Sequence, residues 1–393
     1  MSLKIGITVP EFIANGGAAM LTVNMVEALQ NDYEVTVYTF ESSPIGAINE
    51  IFGAQMQPDR VRVELLPYWQ RFRPYLWGPT GLYLLSRFCK RCPAPPDVWI
   101  SAAAEMDFGC TGIQYINFPI ACAKAKVLRD HGAKSQLRAV ISALKRTVVA
   151  PLFQFRAEAV TRNVTLAISH WGVERIREAY GMGATVLYPP IHGAREKLSP
   201  WDTRENGFVC VGRISPDKNL ELVISIVSRL RRRGHDVHLH IIGFADATGY
   251  VQYLRHRYET ELAWLFIQPD LTRAELQNLL EKHRFGIHGR PNEHFGIVIG
   301  EMLQSGVMPF IPHSGGQVEI LRNLEALWYT SEDDAVEKID AVLRGQGIDR
   351  ILRSLAELRG QFSPAEFQKQ FREIVQSFAA RDVPQMEPSN PEQ

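Results

Sequence analysis

The chain has 393 residues, 46% of them hydrophobic and 22% charged, and its 43 basic and 43 acidic side chains cancel to zero formal charge. That length predicts two domains, each with its own core. The composition excludes a disordered or fibrous chain, and the charge balance argues against nucleic acid as the main partner. The opening MSLKIGITVPEF is too short and too lightly apolar for a signal peptide, and no apolar run reaches the ~18 residues of a membrane span. Five cysteines (89, 92, 110, 122 and 210) fit a reducing compartment without a disulfide framework, so a cytoplasmic protein is expected. Cys89 and Cys92 form a CxxC, but a zinc site needs about four ligands and no second pair exists; free thiols are expected.

In chain order, KIGITVP reads as a strand, EFIANGG as a loop, and a helix follows from about Ala18 to Leu29, with Leu21, Met25, Val26 and Leu29 on one face. YEVTVYTF is the next strand, which opens a βαβ unit with a parallel sheet. PDVWISA, GIQYINF and VTLAISH continue it. VLYPPI and the HGAREKLSPWDTRENG that follows lack apolar periodicity and are the best linker in the chain. Beyond it a second alternation begins: the strand GFVCVGRI, the helix PDKNLELVISIVSRLRRRG, the strand DVHLHIIG, a helix around Tyr250–Glu261, the strand AWLFIQ, a helix from Arg273 to Lys282, the strand RFGIH, a helix within NEHFGIVIGEMLQSG, and the strand VMPFIPH. The fold class expected is α/β: two Rossmann-like, doubly wound domains, residues 1–190 and 205–363, with a ligand site in the cleft between them. A last helix, 364–380, carries Phe367, Phe371, Ile374 and Phe378 as an apolar stripe to be buried, with the first domain as a candidate surface; residues 381–393 lack core formers and are expected to be disordered.

Four places carry the chemistry. Gly16 and Gly17 open the first helix, where backbone N–H groups and a close backbone approach suit a phosphate, although a plain tight turn explains them equally well. Arg213 and Lys218 lie just past the second domain's first strand, five apart across a turn, and can flank a diphosphate or simply be solvated. Gly296 starts a helix and offers N–H donors to an anion, with Glu293 just ahead of it. Glu301 stands among Ile297, Ile299, Met302 and Leu303, a place for a carboxylate only if something supplies its donors; a ribose diol would.

GG after the first strand, GRISPDKN, NEHFGIVIGE with its two glutamates, and SGGQVEI together resemble family 4 of the glycosyltransferases, retaining enzymes of the GT-B fold. QYINFP and YPPI resemble the branch that extends lipid-linked oligosaccharides. The resemblance implies that Gly17 backs the diphosphate of a nucleotide sugar and that Arg213 and Lys218 neutralise it as it leaves. It implies that Glu301 binds the ribose and that Glu293, with His294 and the backbone of Phe295, Gly296 and Ile297, holds the donor sugar. Leu271, in QPDLTRAEL, falls where the family sandwiches the base. Asn117 stands where the branch has a His near the reaction centre; an amide donates and accepts hydrogen bonds but does not titrate near neutrality. The implied activity is transfer of a hexose from a nucleotide-diphosphate sugar, UDP-glucose favoured over a GDP-hexose such as GDP-mannose, in polysaccharide or lipid-linked glycan synthesis, with no metal and no cofactor. A non-catalytic nucleotide-sugar-binding protein is the alternative that Asn117 raises.

Charge hints at where an acceptor is met. Residues 69–91 carry five Arg or Lys, no acid and many aromatics, and residues 124–162 carry nine basic residues against Asp130 and Glu158. Both segments suit an anionic membrane surface at its cytoplasmic face, or a phosphorylated acceptor.

Overall fold

The computed structural model describes residues 2–13, 16–67, 79–102, 104–119, 150–193, 198–245 and 249–382. The chain divides into two compact units, one of Met1–Ile168, Gly172–Tyr188 and Pro364–Gln393, the other of Ser169–Trp171 and Pro189–Ser363.

The first unit is built on a parallel sheet in the order β5-β3-β1-β6-β7-β8-β9. In chain order these strands are β1 (Lys4–Thr8), β3 (Glu34–Thr39), β5 (Val61–Leu65), β6 (Val98–Ser101), β7 (Ile113–Ile116), β8 (Val164–Ala167) and β9 (Thr185–Val186). A small parallel ladder joins β2 (Glu11–Phe12) to β4 (Glu41–Ser42). β1, whose Ile5 and Ile7 are fully buried, is the strand from which successive crossovers run in opposite directions. Helix α1 (Gly16–Leu29) starts two residues earlier than expected, on the glycine pair itself.

Helix α2 (Ile45–Phe52) is short, and α3 (Pro79–Arg91) is amphipathic inward. Its Leu82, Leu85 and Cys89 join a core cluster with Tyr38, Phe40, Leu66, Trp99, Met106 and Phe108. The basic, aromatic stretch therefore spends the apolar face of its described part on the protein's own core. Lys90 is spent as well: its ammonium donates to the buried Asp107 carboxylate and to the Gln154 carbonyl. Of that stretch Arg91 remains exposed, while residues 69–78 and 124–149, with Arg71 and Arg73, lie outside the described residues. Cys89, Cys92, Cys110 and Cys210 are free thiols.

The last helix, α11 (Pro364–Asp382), packs on α1 within this same unit. Gln368 Nε2 donates to Asn24 Oδ1 at 3.3 Å and to Glu27 Oε2 at 3.0 Å, and Arg372 Nε donates to the Ala28 carbonyl at 2.9 Å. The buried stripe is Phe367, Phe371, Val375 and Phe378. Val375 takes the inward place expected for Ile374, because two steps of four followed by one of three keep the stripe over α1.

The second unit's sheet is also parallel, in the order β12-β11-β10-β13-β14-β15. Its strands are β10 (Glu205–Val211), β11 (His238–Gly243), β12 (Leu265–Pro269), β13 (His283–Ile287), β14 (Met308–Pro312) and β15 (Trp328–Tyr329). The helices, after α4 (His170–Tyr180), are α5 (Leu220–Arg232), α6 (Tyr250–Leu254), α7 (Arg273–Lys282), α8 (Ile297–Gln304), α9 (Glu332–Leu343) and α10 (Ile348–Leu358). The helix expected around Tyr250–Glu261 continues past α6 as one wider π turn, Arg255–Glu259. α7 has the bounds expected, because Thr272 and Glu275 form a reciprocal capping box at its start.

The stretch expected to be a linker belongs to this unit from Pro189 onward. Ile191 N donates to the Phe362 carbonyl at 2.8 Å, and the Ile191 side chain fills the space that a Cβ on Gly300 would need. Trp201 packs edge-on against Phe285 at 5.6 Å. Few apolar residues in a polar stretch conceal such packing from periodicity.

Candidate active site

In a doubly wound sheet the ligand crevice opens at the carboxyl ends of the strands, where the strand order reverses. In the second unit that place is between β10 and β13. Two loops leave from there. The first runs Gly212, Arg213, Ile214, Ser215, then a 3-10 turn over Pro216–Lys218 that hands the chain to α5 through Asn219. The second runs from His288 to Gly296 and enters α8.

These loops meet through charge. Lys218 Nζ lies 2.7 Å from Glu293 Oε2, with both side chains about 15% exposed. Arg290, which the sequence reading passed over, stands 3.6 Å from Glu293 and 3.3 Å from Asp217. Arg213 reaches Asp217 at 3.5 Å and the Ser215 hydroxyl at 3.2 Å, and stays 58% exposed. Burial works against ionisation of Glu293, yet Lys218, Arg290 and His288 outweigh it and hold the carboxyl down at about 2. Three cations thus face two carboxylates, and the more exposed cation is Arg213. An arriving diphosphate finds positive charge in excess and donors already fixed in place.

A scaffold of glycines and one glutamine holds the second loop. A Cβ on Gly289 would meet the backbone oxygens of Asn219 and Lys218 at 2.7 and 2.8 Å, so the loops approach backbone to backbone only because that position is glycine. The SGGQVEI segment fixes Glu293 from its other side: Glu293 bridges Gly315, and Gly316 N donates to the Glu293 carbonyl at 2.8 Å. Gln317 is fully buried, and its amide donates to the carbonyls of Arg290, Pro312 and Ser314 at 3.1, 3.2 and 2.9 Å. Its oxygen faces His288 Nδ1 at 3.1 Å, which makes Nδ1 the protonated nitrogen and leaves Nε2 turned toward Glu293 Oε2 at 3.8 Å. Burial first, then Lys218, holds His288 down to about 4, so the ring is neutral at neutral pH.

At the start of α8, Gly296 takes the left-handed conformation (φ 98°) and its carbonyl accepts from the amides of Ile299 and Gly300 at 2.9 and 3.3 Å, so the Ile297 and Val298 amides ahead of them are the ones the helix itself leaves to other acceptors. The Phe295 ring is fully buried, edge-on to Phe362 at 5.3 Å, so only its backbone faces a ligand. His294 stacks on Trp171 at 6.0 Å, its carbonyl accepts from the Ser169 hydroxyl at 2.8 Å, and its N–H donates to Glu293 Oε1 at 3.3 Å. Burial lowers His294 to about 4, which keeps it a neutral stacking ring. Ile297 is half-buried.

Glu301 is buried, as the sequence requires, but its partner is a side chain: Arg273, the first residue of α7, donates from NH1 to Oε1 at 2.7 Å. A ligand is therefore not the sole source of donors to this carboxylate. Burial still raises its pKa against the pull of Arg273. Leu271, two residues earlier, is half-buried against Val209, Val211, Ile242, Leu280, Met302 and Val307. The structure brings Arg213, Lys218, Glu293, His294, Phe295, Gly296 and Ile297 onto two adjoining loops, with Leu271 and Glu301 in the same unit. Gly16, Gly17 and Asn117 lie in the other unit, after β1 and β7, and Asn117 Oδ1 is buried without a hydrogen-bond partner among the described residues.

Residues 195–361 match the family model of glycosyl transferases group 1, a span that includes both loops. Over nearly its whole length the chain is similar to sucrose-phosphate synthase from Thermosynechococcus elongatus (TM-score 0.70, 13% identity, 97% of this chain and 100% of that one). It is likewise similar to the Anabaena protein Alr3699/HepE in complex with UDP and glucose (TM-score 0.63, 14% identity, 95% and 100%). The fold is GT-B, and over residues 195–361 the chain is similar to the group 1 glycosyl transferases. By sequence, the chain is 24% identical over 356 residues to the GDP-Man:Man(3)GlcNAc(2)-PP-Dol alpha-1,2-mannosyltransferase of Candida glabrata, 77% of this chain and 67% of that one. To the Homo sapiens protein of the same name it is 26% identical over 242 residues, 54% and 48%. The chain thus spans between about half and two thirds of these relatives' length.

Proposed function

We propose that the protein is a glycosyltransferase that moves mannose from GDP-mannose to a lipid-linked or other saccharide acceptor. The observation that carries the reading is the Lys218–Glu293 pair, 2.7 Å across the β10/β13 switch point, flanked by Arg213 and Arg290. Cations fixed beside a helix start suit a diphosphate leaving group. GDP-mannose stands ahead of the UDP-glucose expected from the sequence because the relatives named above carry GDP-Man in their names, and UDP-glucose finds no support among them.

In this reading Arg213 and Lys218 hold the diphosphate, Glu301 and Arg273 face the ribose, and Glu293 with the α8 start orients the sugar. Gly16, Gly17 and Asn117 belong to the donor-binding set on the resemblance alone. The reaction retains the anomeric configuration by a front-face route. The C1–O bond to the β-phosphate breaks, the acceptor oxygen bonds to C1 on the same face, and the departing phosphate oxygen takes the acceptor proton. Charge growing on that oxygen is met by Arg213 and Lys218, which perform the service a divalent metal performs elsewhere. The acceptor is met at the cytoplasmic face of a membrane; no helix among the described residues is long and apolar enough to cross one.

A ligand that binds only the native state raises the melting temperature in proportion to the logarithm of its saturation. GDP and GDP-mannose are expected to raise it more than UDP and UDP-glucose at equal concentration. The reverse order would return the donor to UDP-glucose, and no rise with any nucleotide would remove the reading.

A further inference from the structure

At the opposite edge of the second sheet, where β10, β11 and β13 begin, three histidines converge. His238 and His240 are two apart on β11 and so share a face, and His283 opens β13. β10 runs between those strands, with Gly207 opposite His238 and Glu205 opposite His283. A Cβ on Gly207 would occupy the place of the His238 ring, so the glycine is what lets His238 lie across β10 toward His283. His238 Nε2 is 2.9 Å from His283 Nε2, and one ring nitrogen of each of the three lies within 4.8 Å of the other two.

We propose that this cluster is a binding site for a zinc-class divalent cation, with His238, His240 and His283 as ligands and Glu205 as the fourth. Three imidazoles and a carboxylate are a ligand set for such ions rather than for magnesium or calcium. The outer hydrogen bonds select the tautomer of two of the three. His283 Nδ1 donates to the Leu279 carbonyl at 2.6 Å and His240 Nδ1 to Gln268 Oε1 at 2.6 Å, which leaves their lone pairs on Nε2; the one on His283 accepts from His238 Nε2–H, a proton that metal binding would displace. Glu205 Oε2 stands 3.5 Å from His238 Nε2 and 3.7 Å from His283 Nε2, and its side chain is half exposed, free to swing inward. An open cavity of about 480 Å³ before His238 and His240, bordered by Trp264 and Phe266, admits the ion from solvent. Arg231 also borders it, but its charge is met by Asp236 at 3.2 Å.

The site serves the fold rather than the transfer reaction. β10 is 7 residues long, so about 20 Å separates it from Lys218 and Glu293 at the other end of the sheet. Bound metal would tie β10, β11 and β13 together at their starts.

The test uses tag-free full-length protein, stripped with chelator and titrated with cobalt(II), then with zinc(II) in competition. One equivalent of cobalt is expected to give the intense visible absorption of a tetrahedral N/O site, zinc to displace it, and zinc to raise the melting temperature. His240→Ala should abolish the cobalt spectrum. Gln268→Ala, which removes only the hydrogen bond to His240, should weaken zinc binding by about 10–100-fold. GDP binding should be unchanged in Gln268→Ala. Wild-type protein that takes up no stoichiometric cobalt, or a folded His240→Ala that binds as tightly as wild type, would overturn the proposal. Should His240→Ala fail to fold, the wild-type titration and Gln268→Ala decide the matter.

Discussion

Lys218 and Arg213 are both assigned to the leaving group, yet their surroundings differ, and this separates their roles in stability from their roles in turnover. Arg213 is 58% exposed and its ion-pair partner Asp217 is 43% exposed, so Arg213→Ala should change stability by no more than about 0.5 kcal/mol. Lys218→Ala also strips a partly buried Glu293 of its nearest counter-charge, and Arg290 at 3.6 Å replaces it only in part. Both substitutions should lower kcat by roughly tenfold to thousandfold, the usual loss when charge stabilisation of a transition state is removed. Urea unfolding and steady-state kinetics on both variants check this. Normal kcat in both would make them surface and structural charges.

Glu301→Gln keeps the shape of the side chain and removes its charge. A hydrogen bond to a charged group contributes about 1.5–3 kcal/mol, so GDP affinity measured by calorimetry should fall by roughly tenfold or more. Unchanged affinity in a folded variant would mean that Arg273, not a ribose, is what this carboxylate exists to hold.

At the scale of elements, α3 shows why an amphipathic pattern does not say what it faces. Its basic and aromatic residues suit a membrane by composition, but Leu82, Leu85 and Cys89 face the first unit's core and Lys90 faces Asp107. Asp107 is fully buried and also accepts from the backbone N–H of Gly109 at 3.1 Å and of Arg156 at 2.8 Å. Lys90→Met leaves that carboxylate without its cation, and a broken buried pair costs about 3–5 kcal/mol. A urea midpoint equal to wild type would show that the two backbone donors suffice.

The helices and strands of the second unit were legible from β10 to β14, helped by local chemistry at their ends: the Thr272–Glu275 capping box before α7, the glycine before α8; β15, α9 and α10 were not read. The packing of 189–204 was not, because Ile191 and Trp201 act as single anchors without a period. Arg273 as the partner of Glu301 was hidden for a related reason: the two are 28 residues apart and meet only through the fold.

At the scale of the molecule, two parallel sheets with a reversal of strand order at β1/β6 and at β10/β13 follow from the alternation of strands and helices along the chain. The Lys218–Glu293 meeting point was legible in outline, since both motifs follow strands. Arg290 and Gln317 were not, although Gln317 sits inside SGGQVEI and Arg290 two residues before NEHFGIVIGE: a charged residue and an amide in loops carry no mark of what they hold until Gln317 is seen bonding three carbonyls. The His238, His240 and His283 cluster escaped for the same reason, being assembled from strands that start 45 positions apart and that only sheet order brings to either side of β10.

The central claim is glycosyl transfer from a nucleotide-diphosphate mannose at the Lys218–Glu293 site, and it is tested most directly by incubating the protein with radiolabelled GDP-mannose and a pyrophosphate-linked lipid oligosaccharide. Labelled mannose is expected in the lipid fraction, α-linked, with GDP released in equal amount, and Lys218→Ala should lower the rate by roughly tenfold to thousandfold. Absence of label from the lipid with this donor and with UDP-glucose alike, in protein that binds GDP, would contradict the account.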